Sequence, residues 1–381
     1  MNFFLPFFYL VTALIWFYRA RRALEALREN PQIKPAAPPS SSECPFVSIL
    51  LPVKNEEANL EDCLQGLLRQ DYPALEVIVI NDNSIDRTQE ILFRHAQTHG
   101  DRLQALKAPP TPTGWTGKNA ALAHGARIAR GKWLLFTDAD TRHEPFSVSS
   151  AVAHTEGKDL DLLTLSPKCL AESFWEKVIQ PTAMAFMGLW FPFFRVNRPA
   201  SSLAFGNGQY LMIRRKTYET LGGHARVKEA YLEDFALVRE AKKTGSRIEC
   251  AVGTKIFGTR MYRSFLGIWL GWRRIFLHAF EKNPRRLATK AFSVFCFSVL
   301  PLVCFPFLIQ LAFVAPASFG KLLGAVLPIL ALIFITTGKA YNMIGAPAGY
   351  ALLHPVAGFV LSAILIDAAW AAWRKKELKW R

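Results

Sequence analysis

The sequence predicts an α/β fold: a doubly wound, mostly parallel sheet, with apolar helical segments on either side of it along the chain. Three observations predict it. Short apolar runs alternate with helix-period stretches between residues 46 and 137, joined by short loops. Three of those runs end in polar clusters, at Pro52 to Glu57, at Asp82 and at Asp138/Asp140. Long apolar stretches over residues 2–18 and much of 291–373 are flanked by Arg and Lys.

The elements follow in order. Residues 2–18 are apolar and aromatic, and Arg19, Arg21 and Arg22 come directly after. The run is just long enough for a bilayer core of about 30 Å. The positive charge follows the apolar run and no small-residue cleavage site succeeds it, so it reads as an anchor and not as a cleaved signal. The Arg cluster places the downstream chain in the cytoplasm. A Pro/Ser-rich linker covers residues 34–42. Residues 46–53 read as a buried strand, and residues 59–69 as a helix with Leu60, Leu64, Leu67 and Leu68 on one face. A second strand over 75–80 ends in Asn81-Asp82-Asn83-Ser84, and a second helix covers 86–96. A weaker strand lies near 103–106, then a helix over 118–129. The run Trp133-Leu134-Leu135-Phe136-Thr137, introduced by Gly131-Lys132, is a strand that ends at Asp138-Ala139-Asp140.

Ligands on doubly wound sheets bind beyond the carboxyl ends of the strands, where all three polar clusters fall. No Gly-x-Gly-x-x-Gly follows the first strand and there is no Gly-x-x-x-x-Gly-Lys-Ser/Thr, so a nucleotide must be held by side chains and a metal. Asp138 and Asp140, two residues apart at a strand end, suit Mg²⁺ or Mn²⁺, hard cations that complete their shells with phosphate oxygens. Such a cation offsets the charge of a departing diphosphate.

Composition narrows the function class. The 381 residues give room for one sizeable domain plus appendages. Hydrophobic residues make up 51% and the mean hydropathy is +0.14, high for a wholly soluble enzyme. The net charge of +16 fits nucleic acid or a membrane surface. No nucleic-acid motif is present and the positive charges sit beside apolar runs, which favours anionic lipid and no nucleic-acid partner. Six scattered Cys without a Cys-x-x-Cys pair suggest neither zinc nor a disulfide framework, in keeping with a reducing cytoplasm.

Three apolar stretches over residues 291–315, 322–338 and 350–373 close the chain. Lys290 and Arg285-Arg286 flank the first; the last contains Asp367, read as snorkelled or paired, and ends in Arg374-Lys375-Lys376. Three crossings from the cytoplasm leave the C-terminus outside, whereas the basic tail argues for inside, so one of the three is expected to be re-entrant or interfacial. The expected organisation is a membrane anchor over 1–22, a linker over 23–44, a catalytic domain over 45–257, amphipathic interfacial helices over 258–290 and a transmembrane region over 291–381.

The motifs in order resemble an inverting family 2 glycosyltransferase of the GT-A fold. They are Leu51-Pro52-Val53-Lys54-Asn55-Glu56-Glu57, Val79-Ile80-Asn81-Asp82-Asn83-Ser84-Ile85-Asp86, Gly117-Lys118-Asn119-Ala120-Ala121-Leu122, Thr137-Asp138-Ala139-Asp140, Gly206-Asn207-Gly208-Gln209, Gly222-Gly223-His224 and Leu232-Glu233-Asp234. The flanking membrane segments resemble the membrane-bound branch that acts on lipids, including hopanoid- and carotenoid-associated enzymes. The resemblance implies that Pro52, Val53, Asn55 and Glu56 border the nucleobase and ribose, and that Asp82 accepts a hydrogen bond from uracil. It implies Lys118 on a diphosphate oxygen, Asp138 on ribose or metal, and Asp140 as principal metal ligand. Asp234 is implied as the general base, with Glu233 beside it; both also suit a helix N-terminus.

Processive polysaccharide synthases carry Gln-x-x-Arg-Trp after the base. This chain instead has Arg260-Met261-Tyr262-Arg263 and Trp269-Leu270-Gly271-Trp272-Arg273-Arg274, so transfer of one or a few sugars is expected, with Arg263 or Arg273 as the diphosphate's guanidinium. Apolar residues at helical spacing over 262–280, with Arg263, Arg273 and Arg274 among them, read as an amphipathic helix in the headgroup plane. Residues 174–194 read as a core segment or as an acceptor groove opening toward lipid. The function expected is a multi-pass enzyme of the inner membrane, its catalytic domain cytoplasmic, moving a sugar from a nucleotide-diphosphate donor, a UDP-sugar by the resemblance, to a lipid acceptor. A non-catalytic sugar-nucleotide scaffold and a polyprenyl-phosphate glycosyltransferase are the alternatives. A transporter or channel fits poorly with only three or four spans and so large a soluble core.

Overall fold

The computed structural model describes residues 4–38 and 44–374, so Lys375 and Lys376 of the basic tail and part of the linker lie outside the described residues. The chain divides into two compact units, one of Asn30–Lys168 with Phe193–Met261, the other of Met1–Glu29, Cys169–Pro192 and Tyr262–Arg381.

The first unit holds the sheet. Its strands in chain order are β1 Val47–Val53, β2 Leu75–Asn81, β3 Leu103–Lys107, β4 Trp133–Phe136, β5 Thr141–His143 and β6 Leu162–Ser166; the two-residue β7 Lys168–Cys169 ends this run, and β8 Leu211–Arg214, β9 Ile248–Val252 and β10 Phe257–Thr259 follow. Seven form one sheet in the order β3-β2-β1-β4-β8-β6-β9. The first four are parallel, β8 runs antiparallel to β4 and β6, and β6 and β9 are parallel again. β5 and β10 pair antiparallel in a small second sheet.

β1 lies inside the sheet and is buried on both faces, which is why its sequence is apolar without alternation. The period of two still sorts its side chains. Val47, Ile49 and Leu51 join Val77, Val79, Trp133 and Leu135 in one core layer. Leu50 joins Ile78, Ile80, Leu134 and Phe136 in the other. The helices Leu60–Leu68 and Ser147–Gly157 cover the first layer through Leu60, Leu64, Leu67, Val148 and Ala151. The helices Gly117–Ile128 and Glu233–Lys243 cover the second through Ala121, Leu122, Ala126, Val238 and Ala241. The sheet is therefore doubly wound, and every element read from the sequence between residues 46 and 137 lies within two residues of its expected bounds. At the far edge, Val252 donates to Pro31 O at 2.8 Å and accepts from Ile33 N at 3.0 Å, so the expected linker segment pairs with β9 and shields its edge.

The second unit is helical. Three runs among the described residues are long and apolar enough to cross a membrane: Pro284–Val314, Phe319–Met343 and Ala348–Trp373. Large apolar side chains such as Phe292, Phe307, Phe313, Ile335, Phe359 and Trp370 are exposed on them, as expected of surfaces that face lipid. The N-terminal helix Phe4–Glu29 continues past the expected anchor, its exposed turns held by Arg21 and Arg22 on Glu25 at 3.0 and 2.9 Å. Residues 174–194 do not join the sheet unit as a single block. The helix Phe174–Trp190 is apolar around much of its circumference and packs with the helices Phe265–Ala279, Pro316–Met343 and His354–Trp373. Trp272 Nε1 donates to Gln180 Oε1 at 3.0 Å, and Thr182 and Tyr341 share a hydroxyl hydrogen bond at 2.6 Å. Asp367 is paired: Trp269 Nε1 and Arg273 Nη1 reach its Oδ2 at 2.9 and 3.0 Å.

Candidate active site

Ten of the expected site residues lie in the sheet unit: nine at or beyond the carboxyl ends of β1, β2 and β4 or at the start of the helix Glu233–Lys243, and Lys118 at the start of the helix Gly117–Ile128. After β1 and β2 the two loops lace into each other. Asn55 and Asn83 both take left-handed backbone, with φ of 56° and 52°, a region in which Asn is well tolerated. Asn55 N donates to Ser84 Oγ at 3.0 Å, and its Oδ1 accepts from Ile85 N at 2.9 Å. Glu56 N donates to Thr88 Oγ1 at 2.9 Å and Glu57 N to Asp86 Oδ2 at 3.0 Å. Pro52 and Val53 pair in register with Ile80 and Asn81. Asp82 N then donates to Val53 O at 2.8 Å, and the Asp82 carboxylate takes Lys54 Nζ at 3.0 Å. A side chain at position 117 would begin 2.7 Å from Asp82 Oδ2, so Gly117 is what lets the third loop approach.

Lys118 is the second residue of the helix Gly117–Ile128, whose start Thr116 caps by accepting Asn119 N. Its Nζ meets Asp138 Oδ1 at 2.8 Å and Glu233 Oε1 at 2.7 Å. Asn119 faces the other way: its amide donates to the carbonyls of Val227, Lys228 and Ala230 at 2.8 to 3.0 Å and fixes the loop that delivers Glu233.

Asp140 is held by Gln209, whose amide lies 3.3 Å from each carboxylate oxygen and 2.9 Å from Thr259 Oγ1. Burial raises the Asp140 carboxyl to about 7, with help from the negative charges of Asp138 and Glu56. Burial raises Glu56 too. One ammonium thus leaves a surplus of negative charge here. Among the described residues no three carboxylate, imidazole or thiol side chains converge as a metal site. The pair Asp138/Asp140 nonetheless fits Mg²⁺ or Mn²⁺ of the kind that binds through one or two carboxylates and takes its other oxygens from phosphate and water.

Asp234 sits in the first turn of its helix. Gly208 N donates to its Oδ2 at 2.7 Å and Phe235 N to its Oδ1 at 2.8 Å. Burial, then the neighbouring Glu233, raises its carboxyl to about 7, the range in which a carboxylate both accepts and releases a proton at physiological pH. A Cβ at position 206 would lie 2.3 Å from Asp234 O, so Gly206 permits the close approach of this turn. A small cavity is bounded by Lys118, Thr137, Asp138, Gly208, Glu233 and Asp234 together with His224. His224 is a neutral imidazole: burial and then Lys118 depress it to about 3, and Tyr218 Oη bonds its Nδ1 at 2.8 Å.

Arg263 and Arg273 belong to the helical unit, where Arg263 is exposed and Arg273 pairs with Asp367. Gln209, Asn119 and the Gly208 amide carry the site's positioning, yet the sequence reading gave them no role. The one signal was a buried polar type inside Gly206-Asn207-Gly208-Gln209; the strand that follows, β8, is four residues long and has too few positions to show a period.

Residues 48–222 match the model of Glycosyl transferase family 2. The beta-monoglucosyldiacylglycerol synthase of a Nostoc species is 31% identical over 211 residues, 54% of this chain and 43% of that protein. The poly-beta-1,6-N-acetyl-D-glucosamine synthase of Staphylococcus epidermidis is 34% identical over 95 residues, 25% of this chain and 22% of that protein. The chain thus spans less than half the length of these curated relatives. Among solved structures, the mannosyltransferase PcManGT from Pyrobaculum calidifontis, in complex with GDP-Man and Mn²⁺, superposes with a TM-score of 0.51 at 20% identity, covering 98% of this chain and 100% of that one, a likeness of fold. The parallel half of the sheet and its Asp138 edge lie inside the matched span, so residues 48–222 resemble a family 2 glycosyltransferase domain, and the fold is that of the GT-A enzymes.

Proposed function

We propose that the protein transfers a sugar from a nucleoside-diphosphate donor to the hydroxyl of a membrane lipid, with inversion at the anomeric carbon. The observation that carries this is the arrangement of Lys118 between Asp138 and Glu233, with Asp234 on the same cavity at a proton affinity suited to a base. The laced loops of Asn55–Glu57 and Asn83–Thr88 form a ready edge for nucleobase and ribose, with Pro52, Val53 and Asp82 beneath, and Asp82 suits a uracil N–H. Asp234 takes the proton of the acceptor hydroxyl. That oxygen forms its bond to the anomeric carbon as the bond to the diphosphate oxygen breaks, and the electron pair leaves on the diphosphate. Lys118 donates a hydrogen bond to that oxygen, exchanging a carboxylate partner for phosphate. A divalent cation held by Asp138 and Asp140 would neutralise the departing diphosphate.

Three span-length helices support association with a membrane. The basic residues beside the apolar runs support a cytoplasmic catalytic domain on the inner membrane. The Nostoc relative's name supports a diacylglycerol acceptor; a carotenoid or hopanoid hydroxyl meets the same chemistry.

The test is release of nucleoside diphosphate by detergent-purified protein with Mn²⁺, a panel of nucleotide sugars, and host lipid extract or none. Lipid-dependent release from one donor, lost in Asp140→Ala and Asp234→Asn, is expected. Release from no donor would overturn the reading.

A further inference from the structure

The helical unit contains a polar cluster that the transfer reaction does not use. Arg19 is 7% exposed, Ser298 0% and His354 3%. Arg19 Nη1 donates to Ser298 Oγ at 3.1 Å and Nη2 to Ser293 O at 3.5 Å. Its guanidinium carbon lies 4.8 Å from the Trp16 ring centroid and 5.2 Å from that of Phe186. The same two rings wall in His354, edge-on to Trp16 at 5.5 Å and stacked on Phe186 at 6.4 Å. Arg19 and His354 therefore contact the same two aromatic rings.

Neither group has an anionic partner among the described residues. Arg19 has no carboxylate within ion-pair distance among the described residues. Neither ring nitrogen of His354 has a hydrogen-bond partner. His354 is the first residue of the helix His354–Trp373; the 3-10 turn Ala348–Leu353 leads directly into it, and the His354 N–H donates to Ala351 O, which fixes the ring's position at the start of the helix. Ser298 sits on the π-helical turn Phe295–Val299, and such turns recur at functional sites. A buried cation without counter-charge and an imidazole with two idle nitrogens are costly unless an anion completes them.

The position says which anion. Arg19 directly follows the apolar run that ends at Tyr18, Ser298 lies in the first half of the span Pro284–Val314, and His354 lies near the start of the span Ala348–Trp373. Arg19 and His354 thus mark the ends of apolar runs, the level at which headgroups sit. Exposed Phe17, Phe292 and Phe359 on the same helices offer apolar surface for acyl chains. We propose that Arg19, Ser298 and His354 form a binding site for the phosphate of one anionic lipid. The site shares no residue with the carboxylate cluster of the sheet unit and does not depend on the donor or on the transfer reaction.

The test uses the full chain in non-ionic detergent and follows thermal unfolding with three additions: dioleoylphosphatidylglycerol, dioleoylglycerol and inorganic phosphate. Phosphatidylglycerol is expected to raise the midpoint by roughly 3–6 °C at about a hundredfold excess over its dissociation constant, and the other two to leave it unchanged. His354→Phe keeps a ring against Trp16 and Phe186 without the nitrogens, and Arg19→Gln removes the charge; each is expected to lose most of that shift. His354→Phe also serves as the folding control, since its ring packing is retained. Equal shifts with phosphatidylglycerol and dioleoylglycerol, or a full shift in His354→Phe, would overturn the site. An equal shift with inorganic phosphate would overturn the lipid as its occupant.

Discussion

Lys118 Nζ lies 2.8 Å from Asp138 and 2.7 Å from Glu233, so a single buried ammonium joins the end of β4 to the first turn of the helix Glu233–Lys243. Burial works against the charge of Lys118, but Asp138 and Glu233 outweigh it and raise its proton affinity, which keeps it charged. Removing it strands two acids in a closed site. Lys118→Met is expected to lower stability by roughly 3–5 kcal/mol, the scale for breaking a buried pair. Lys118→Met with Glu233→Gln should recover much of that in a thermal melt, because one stranded charge is gone, while leaving nucleoside-diphosphate release low. Full recovery of turnover in the double variant would remove Lys118 from the reaction.

The raised carboxyl of Asp234, about 7, sets a pH profile. A base works in its deprotonated form, so turnover is expected to climb about tenfold per pH step below 7 and to level off above it. Asp234→Asn should lower turnover by roughly 10²–10⁴ and flatten this limb. A steep acid limb that survives in Asp234→Asn would assign the titration to another group.

Asp140 links pH to stability in the opposite sense to most carboxylates. Its folded value is raised from 3.8 to about 7, so its favourable contribution is present below about 4 and is lost as pH rises through 7. Asp140→Asn is therefore expected to raise the unfolding midpoint at pH 8, by roughly 1–3 kcal/mol in stability. Mn²⁺ should stabilise the native protein and not this variant.

Gln209 orients Asp140 from both oxygens. Gln209→Ala is expected to weaken Mn²⁺ binding roughly 10- to 100-fold, as loss of a ligand's supporting hydrogen bond does elsewhere. Titration of the free-Mn²⁺ electron-spin-resonance signal measures this without turnover.

Gly206→Ala would drive a methyl against Asp234 O, from which it would lie only 2.3 Å away. A loss of roughly 2–4 kcal/mol and of nearly all activity is expected. Gly157→Ala meets nothing within 4 Å and should leave chemical denaturation within about 0.5 kcal/mol of the native protein.

Local sequence determined the parallel half of the sheet and its carboxyl edge. β1, β2 and β4 are short apolar runs whose burial on both faces needs no distant partner to be recognised, and Asp82, Asp138 and Asp140 follow from where those runs stop. The apolar length of the three closing helices was legible for the same reason. Tertiary structure decided the rest. β8 is four residues long and inserts antiparallel beside β4, a pairing no local period announces, and it brings Gln209 onto Asp140. Residues 174–190 look like core in any apolar environment; only packing assigns them to the helical unit. Lys118 and Glu233 are far apart in sequence and meet because burial makes an unpaired charge too costly, a constraint that acts on the folded chain and leaves no mark in either segment alone.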